Sequence, residues 1–281
     1  MKNLFSVITT LSISILLTAC GGDNKHNTMK SSASISAASG MSTSSTMMAS
    51  STAMTSSAVM TSSSAISSMP ATTVVKLTIT ITNLTAGQPL SPTAVVLHKS
   101  GSTLFQVGEP ASVELERIAE GGDPTSLLED ANSDQATWIS GQAANGILPG
   151  AKATVMLEAT IVTADTSLLS LTALSMLGNT NDGFTGLNAV NISQLAVGSS
   201  MTIDTVSYDA GTEQNTESAA TVPGPAAMGE GFNAMRDDNP SVISMHSGVI
   251  SKDDDMPMSA LSHLQRWDNP VARITITRSA P

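Results

Sequence analysis

The chain of 281 residues is short of cysteine and of basic residues. It has one cysteine, and its 12 lysine or arginine residues face 23 aspartate or glutamate residues, so the formal charge is −11. A single cysteine excludes an internal disulfide framework and any Cys-x-x-Cys pair for zinc or redox chemistry. The acidity argues against nucleic-acid binding, because phosphate groups are bound by clustered lysine and arginine residues.

Aromatic residues are scarce as well, with four Phe, two Trp and one Tyr in the whole chain. Single-stranded nucleic acids bind by stacking their bases on aromatic rings, so this class of ligand is disfavoured a second time. A sugar-binding platform of aromatic rings is disfavoured too, because some of these few rings must build the core.

Patterns that mark common enzyme classes are also missing. The chain has no Gly-x-Ser-x-Gly elbow and no Ser-x-x-Lys motif for nucleophilic catalysis. The glycine patterns of Walker and dinucleotide-binding loops are absent too. We therefore predict that the protein is not an enzyme.

The first 19 residues have the composition of an export signal. Lys2 precedes the apolar run 11–17, and the small residues Thr18 and Ala19 follow it. This run is too short for a membrane-spanning helix, which needs about 20 apolar residues. The segment is therefore predicted to be a cleaved signal peptide.

The end of this segment, Leu17-Thr18-Ala19-Cys20, resembles the bacterial lipobox, in which the cysteine is lipidated and becomes the new N-terminus. A secreted protein with an incidental thiol is the alternative, but it does not explain the position of the cysteine. Several acyl chains on Cys20 would anchor the protein stably, since each buried CH₂ contributes about 0.8 kcal/mol. Gly21 stands where lipoproteins of the inner membrane commonly carry Asp, so the resemblance implies the outer membrane.

Residues 20–73 form a low-complexity stretch of Ser, Thr, Ala and Met with little charge. Its apolar residues follow neither a helical nor a strand period, so we predict a disordered tether. A flexible chain of this length reaches roughly 40 Å. Its methionines lack a repeated Met-x-x-Met spacing, so a copper site is not predicted.

Residues 74–281 are predicted to be the folded domain, and they carry 22 acidic against nine basic residues. Alternating apolar and polar residues, or short runs rich in β-branched residues, predict strands at 75–82, 94–97, 151–163, 169–177, 202–207 and 271–277. A helix is predicted over 110–120, with Pro110 near its start and Gly121-Gly122 as its stop. These elements indicate an antiparallel two-sheet β-sandwich with one or two short helices.

Several strings, taken in order, resemble the spondin domain, the N-terminal module of F-spondin and mindin that also occurs in bacterial secreted proteins. The strings together cover nearly all of residues 75–278, and the fourth matches its family signature without substitution. They are Asn83–His98, Phe105–Gly108 with Ala119–Gly122, Met176–Asn188, Tyr208–Thr212 and Asn269–Ile276.

This resemblance implies a calcium-binding β-sandwich that serves adhesion, matrix or ligand recognition. The implied ligands are Asp182 and Asn188 in one glycine-rich loop and Asp209 and Glu213 in a second. Calcium takes six to eight oxygen ligands, so acidic loops at one end of a sandwich suit it. Asn188 replaces an Asp of the animal domains, and the Trp after the first Asp is absent, which implies weaker binding.

Alternatives to this site remain open. Asp182 and Asp209 are also good turn residues that bond their own backbone. An EF-hand does not fit, because Gly183 at its sixth position would put Gly178 and Ala189 where acidic ligands are required.

The histidines and one further acidic run offer weaker candidates. His98, His246 and His263 are far apart in sequence and lie in no metal-ligand pattern, so structural roles are favoured. The run 252–255 is predicted to be a solvated loop, with a loose second calcium site as the alternative. Trp138 and Trp267 are predicted to be core or partly buried anchors.

The sequence as a whole predicts an envelope-anchored, calcium-binding β-sandwich that acts as a binding or adhesion module. Its partners would be a membrane, through the lipid, and an unidentified protein or surface ligand, but no nucleic acid. An envelope hydrolase is the alternative, and a cleft joining His98 or His246 to a carboxylate and a nucleophile would distinguish it. A purely structural envelope lipoprotein is a third possibility.

Overall fold

The structure, a computed structural model, describes residues 69–235 and 241–281. The predicted signal peptide, Cys20 and most of the predicted tether lie outside these residues. In chain order the elements are β1 (Thr72–Asn83), β2 (Ala94–Lys99), α1 (Val113–Gly121), α2 (Thr125–Ser133), β3 (Thr137–Gln142), β4 (Lys152–Val162), β5 (Leu169–Met176), β6 (Gly183–Asn191), β7 (Ser200–Thr205), β8 (Ser207–Asp209), β9 (Ser244–Met245) and β10 (Ala272–Ser279).

The strands form two antiparallel sheets, which confirms the predicted β-sandwich. One sheet has four strands in the order β4-β1-β10-β7, and the other has six in the order β3-β2-β5-β6-β8-β9. In the part of the chain that the structure describes, two α-helices and two short 3-10 helices accompany them. Among the described residues, no helix has the length and apolar character needed to cross a membrane.

Strand β1 shows why the four-stranded sheet forms. Its residues alternate between β-branched or leucine side chains and polar ones, so one face can be buried while the other meets water. The buried apolar side chains, all nearly inaccessible, are Val75, Leu77, Ile79 and Ile81. They pack with the inner residues of the six-stranded sheet into the main core.

The six-stranded sheet is covered on both faces. Every residue of β5 is buried, because one face of the strand meets the main core and the other meets α1 and its surroundings. The three polar residues of β5, Ser170, Thr172 and Ser175, are buried together with its apolar residues. The second core lies between this sheet and the helices and contains Leu115, Ile118 and Phe184.

Helix α1 begins later than predicted. The predicted start near Pro110 is wrong, because Ser112 is the N-cap and its Oγ accepts a hydrogen bond from the Leu115 amide at 3.3 Å. A serine in this position satisfies an amide that has no partner within the helix. The predicted glycine stop is confirmed, since Gly122 adopts the left-handed conformation at the C-cap.

Other boundaries also differ from the prediction. Helix α2 and strand β3 were not predicted, and β1 begins at Thr72, two residues inside the predicted tether. Residues 183–191 form β6 where a glycine-rich loop was expected. Position 186 requires glycine because a Cβ atom would stand 1.9 Å from the Ala173 carbonyl oxygen of the neighbouring strand. That glycine therefore serves close strand packing and not a turn.

Three strand ends meet at one end of the six-stranded sheet. Gly183, the first residue of β6, pairs with Asp209, the last residue of β8. Asp209 also pairs with Ser244, the first residue of β9. The loops that precede β6 and follow β8 are thereby brought side by side.

Candidate cation site

The two acidic loops predicted to share a site do meet at this end of the sheet. Asp182 immediately precedes β6, and its backbone carbonyl accepts a hydrogen bond from the Ala210 amide at 3.2 Å. Asp209 is the residue before Ala210, so Asp182 and Asp209 lie at adjacent positions on two neighbouring stretches of backbone. The register of two short strands thus brings Asp182 next to the turn that begins at Asp209, and the negative charge of Asp209 acts on the Asp182 carboxylate.

The carboxylate of Asp182 is fully buried, and only one of its two oxygens accepts hydrogen bonds. Its Oδ2 accepts hydrogen bonds from the backbone amides of Thr212, at 2.8 Å, and Glu213, at 3.1 Å. Its Oδ1 has no hydrogen-bond partner, although the residue is 0% exposed. A buried ionised oxygen without a partner is costly, so this atom needs either a proton or a cation.

The electrostatic surroundings of Asp182 point the same way. Burial, together with the negative charges of Asp209 and Glu120, raises its pKa to about 7. The two amide hydrogen bonds lower the pKa but do not offset the burial. Near neutral pH both the protonated and the ionised form of the Asp182 carboxyl group are therefore populated, and a bound cation would displace the proton.

Asp209 closes its own turn. Its Oδ1 accepts a hydrogen bond from the Gly211 amide at 2.9 Å, and its Oδ2 accepts one from the Asn215 side-chain amide at 2.7 Å. Gly211 has φ +71°, and a Cβ atom there would meet the Val242 carbonyl oxygen at 2.8 Å. The Oδ1 of Asn215 is itself buried without a partner, which adds an uncharged oxygen to the oxygens of this region.

Glu213 lies in the same region and is almost completely buried. Its Oε1 accepts a hydrogen bond from the Asn181 side-chain amide at 2.9 Å. Asn181 also donates to the hydroxyl of Thr221 at 2.8 Å, so it connects the turn before β6 to the chain after β8. The structure therefore brings together Asp182, Asp209 and Glu213.

The expected place of Asn188 in this site is wrong. Asn188 lies in the middle of β6, and six residues along a strand cover about 20 Å. Its Oδ1 accepts a hydrogen bond from the Leu104 amide at 3.1 Å, and its Nδ2 donates to the Phe105 carbonyl. Asn188 fixes the loop before α1 to the sheet and does not meet Asp182.

Glu217 is a buried carboxylate that the sequence analysis missed. It is 1% exposed; its Oε1 accepts a hydrogen bond from the Ile250 amide at 3.2 Å, while its Oε2 has no partner. Burial and the charge of Asp182 raise its pKa to about 7. No sequence pattern marks this residue, because it stands alone in a stretch of Thr, Ser and Ala.

His246 also borders the site. Its Nδ1 accepts a hydrogen bond from the Gly248 amide at 3.0 Å, and its ring meets the edge of Trp267 at 5.1 Å between centroids. Burial lowers its pKa, although the charge of Asp209 acts in the opposite direction. A neutral ring that accepts at Nδ1 carries its proton on Nε2, so that atom offers no lone pair to a metal.

The other histidines have structural partners. His98 is buried, with Nδ1 at 2.9 Å from the Lys99 carbonyl and Nε2 at 2.9 Å from the Thr172 hydroxyl, which agrees with the predicted structural role. His263 is exposed and pairs with Asp253 at 3.1 Å. In the run 252–255, Asp254 pairs with Arg266 at 2.9 Å, so two of its carboxylates are already held by cationic or basic side chains.

The aromatic residues of the described ranges are partly or fully buried. Trp138 and Trp267 are partly buried against the main core, as predicted. Phe105, Phe184 and Tyr208 contact one another in the second core, with centroids 5.2 to 5.3 Å apart.

A cleft of about 390 Å³ lies beside the cation site. Its lining combines the start of α1 with the turn after β8, and it includes Val113, Glu116, Thr212 and Phe232. The guanidinium carbon of Arg117 lies 4.3 Å from the centre of the Phe232 ring. Thr212 belongs both to this lining and to the amides that hold Asp182, so the cleft and the cation site share one turn.

The donors at this end of the molecule are hard oxygens. Within residues 69–235 and 241–281, no three His, Cys, Asp or Glu side chains are arranged closely enough to hold a metal by themselves. The free buried oxygens belong instead to Asp182, Glu217 and the amide of Asn215. Calcium accepts such mixtures of carboxylate and amide oxygens together with backbone carbonyls, so the residues present fit this ion.

Comparison with known proteins assigns the family. A search of curated proteins found no match. The family model described as Spondin_N, the spondin N-terminal domain, matches residues 85–230, which are just over half of the chain. Asp182, Asp209, Glu213 and Glu217 all fall within the matched range, whereas β9 and β10 follow it. The chain therefore belongs to the spondin N-terminal domain family.

Proposed function

We propose that the protein is a calcium-dependent binding or adhesion module held at the bacterial cell envelope by a lipid on Cys20. Membership of the spondin N-terminal domain family supports the general class, a module that binds and does not catalyse. The calcium ion, the anchor and the absence of catalysis are parts of this proposal, and each has its own support and test.

The observation that carries the calcium proposal is the bare Oδ1 of Asp182. This atom is buried, and the neighbouring charges that act on its carboxylate belong to Asp209 and Glu120. A divalent cation would offset the repulsion between these carboxylates and would be bound by the free lone pairs of the Asp182 Oδ1. Asp182, Asp209 and Glu213 would hold the ion, and the ion would supply the positive charge that fixes the two loops together.

The same geometry supports binding over catalysis. Both ring nitrogens of His98 are engaged in hydrogen bonds, so this residue offers no free base. His246 is only 6% exposed and lies against Trp267, away from open solvent. A general base must reach a proton on the substrate, and neither ring meets that requirement.

Calorimetric titration with calcium tests the metal proposal. The wild-type protein should bind one calcium ion per chain, and Asp182→Asn should lose that binding. Asp204→Asn is the matched control, because Asp204 is a partly exposed carboxylate on β7 that pairs with Arg273 at 2.7 Å, outside the cation site. Absence of heat at millimolar calcium, in protein shown to be folded by circular dichroism, would contradict the proposal.

The anchor rests on the sequence Leu17-Thr18-Ala19-Cys20 and on the 51 residues between Cys20 and Thr72, where β1 begins. Metabolic labelling with an alkyne fatty acid should mark the wild-type protein and leave Cys20→Ser unlabelled. The wild type should sediment with the outer membrane, and the variant should not. An unlabelled wild-type protein in the soluble fraction would refute the anchor and leave the calcium proposal intact.

The adhesion role is tested by capture of partners from envelope and matrix extracts. The protein should retain a specific partner in calcium and release it on chelation, and Asp182→Asn should retain none. Capture that is equal with calcium, with chelator and with the variant would separate partner binding from the cation. No specific capture under any condition would favour a purely structural envelope protein.

A further inference from the structure

The segment Val249–Leu261 follows the range matched by the family and forms two hydrogen bonds with one residue, Glu217. The amide of Ile250 donates to the Glu217 side chain at 3.2 Å, and the amide of Ala260 donates to the Glu217 backbone carbonyl at 2.8 Å. Val249 and Leu261 also meet Val222 in a small apolar cluster separate from the two main cores. Both ends of the segment are thus fixed next to Glu217.

Glu217 is held in an unusual conformation at this place. Its φ is +54°, a left-handed value that non-glycine residues adopt only where their surroundings fix it. Its amide donates to the Asn181 side-chain oxygen at 3.1 Å, which ties its backbone to the residue before Asp182. The strained backbone therefore brings the Glu217 carboxylate to the turn that carries Asp182.

Each of these two carboxylates keeps one bare oxygen. Oε2 of Glu217 and Oδ1 of Asp182 are buried and have no hydrogen-bond partner, and the two residues are 1% and 0% exposed. The other oxygen of each is held by backbone amides, from Ile250 in one case and from Thr212 and Glu213 in the other. Two oriented carboxylates with free oxygens in one buried region are donors that suit a divalent cation.

We propose that Glu217 is a further ligand of the cation at Asp182, and that cation binding fixes the segment Val249–Leu261 against the domain. This inference rests on the calcium site of the proposed function and adds a residue and a coupled segment to it. The cation would hold Oε2 of Glu217, while Oε1 holds the Ile250 amide. The cation and the segment Val249–Leu261 would thus be held by the two oxygens of one carboxylate.

The coupling would control a surface of the protein. The segment presents Ile250, which is 48% exposed, and Met258, which is 85% exposed, to solvent. It also carries the acidic run 253–255. A calcium-loaded protein would show this surface in one fixed arrangement, and a calcium-free protein would hold it by the small apolar cluster and by ion pairs with Arg266 and His263.

The test combines calorimetry with amide hydrogen exchange on the full protein. Glu217→Gln keeps the size of the side chain and removes its charge, and Glu129→Gln, an exposed position on α2, is the matched control. In the wild type and in the control, calcium should slow exchange at Ile250 and Ala260 at least tenfold. In Glu217→Gln the dissociation constant for calcium should rise at least tenfold, and calcium should no longer slow exchange at these amides.

The outcomes separate this inference from the proposed function. Equal calcium affinity of wild type and Glu217→Gln would overturn the ligand role of Glu217 and leave the calcium site at Asp182 intact. Exchange at Ile250 and Ala260 that calcium does not change in the wild type would overturn the coupling. A wild type that binds no calcium would overturn both proposals. Glu217→Asp, which keeps the charge but withdraws the oxygens, gives the same test if the glutamine variant does not fold.

Discussion

Two buried polar networks in this domain differ in one respect, which is whether their hydrogen bonds are complete. At the end of β1, the side-chain amide of Asn83 donates to the carbonyls of Gln88 and Ile147, at 2.7 and 2.9 Å. Its Oδ1 accepts from the amide and the hydroxyl of Thr85, at 2.9 and 2.8 Å. All four hydrogen-bonding positions of the amide group are therefore used.

The network around Asp182 is equally buried but incomplete. Bare polar atoms remain on Asp182, Asn215, Glu217 and His246, whereas Asn83, Thr85 and Gln88 leave none. A complete network stabilises the fold without a ligand, and an incomplete one with several carboxylates has capacity for a cation. The comparison teaches that burial alone does not identify a site, and that the unused donors and acceptors do.

The largest effect is expected from breaking the complete network. Asn83→Ala removes four hydrogen bonds and leaves the buried Thr85 amide without its acceptor, while the carbonyls of Gln88 and Ile147 each keep one other donor. We expect a loss of about 3 kcal/mol or more in the free energy of unfolding. Urea denaturation should give the same loss in calcium and in chelator, because this network takes no cation. A loss that depends on calcium would contradict the comparison.

The opposite result is expected from the incomplete network. Asp182→Asn should weaken calcium binding at least 100-fold, because it removes a charged ligand. In chelator at pH 8 the same change should stabilise the protein by about 1–2 kcal/mol, because a buried charge is no longer held next to Asp209. Calorimetry and urea denaturation measure the two effects. Destabilisation in chelator would show that Asp182 is an ordinary turn residue.

The pH dependence sharpens the same point. The pKa values of Asp182 and Glu217 are raised from 3.8 and 4.5 to about 7 in the folded protein. The folded state thus holds protons that the unfolded state has released. This stabilisation is fully present below pH about 4 and is lost as pH rises through about 7, by on the order of a few kcal/mol. Calcium should bind more tightly as pH rises over the same range, since it competes with these protons.

Urea denaturation of calcium-free protein at pH 5 and pH 8 measures this dependence. The wild type is compared with Asp182→Asn, so that contributions from other carboxylates cancel. The wild type should lose more stability than the variant between the two pH values. Parallel pH profiles for the two proteins would remove the ionisation of Asp182 from the account.

The smallest effect is expected at the surface of the four-stranded sheet. Asp204→Asn breaks a bidentate ion pair with Arg273, whose bonds are 2.7 and 2.9 Å long, and Arg273 keeps the pKa of Asp204 below its usual value. Solvent screens such exposed pairs, so the melting temperature and the calcium affinity should stay within error of the wild type. A change in calcium affinity would show that surface charge, and not the buried network, controls binding.

The fold was largely predictable because its strands follow the period of two. Alternation identified β1 and β4, and it fixed which faces are buried. Strand β6 was missed because its glycines suggested a loop, although Gly186 serves close approach to Ala173. Strand β3 contains Gly141, where a Cβ atom would stand 3.2 Å from a Leu157 side-chain carbon, and this glycine breaks the pattern in the same way. Glycine that serves packing cannot be distinguished from turn glycine by sequence alone.

The candidate site was predictable only in part. Resemblance to the spondin domain identified Asp182, Asp209 and Glu213. The strand register brings the first two to neighbouring positions, and the Glu213 amide donates to the Asp182 carboxylate. The prediction of Asn188 as a ligand was wrong because the residues after Asp182 form strand β6, which carries Asn188 away from the site. Glu217 could not be found, because its proximity to Asp182 depends on a hydrogen bond to Asn181 across 36 positions and on a left-handed backbone. Neither feature leaves a pattern in the sequence.

The most direct test of the account is a crystal structure of the protein grown in several millimolar calcium. The account predicts a calcium ion at about 2.4 Å from Oδ1 of Asp182, with the loops before β6 and after β8 both contributing ligands. An Asp182 Oδ1 that remains without a cation under these conditions would contradict it.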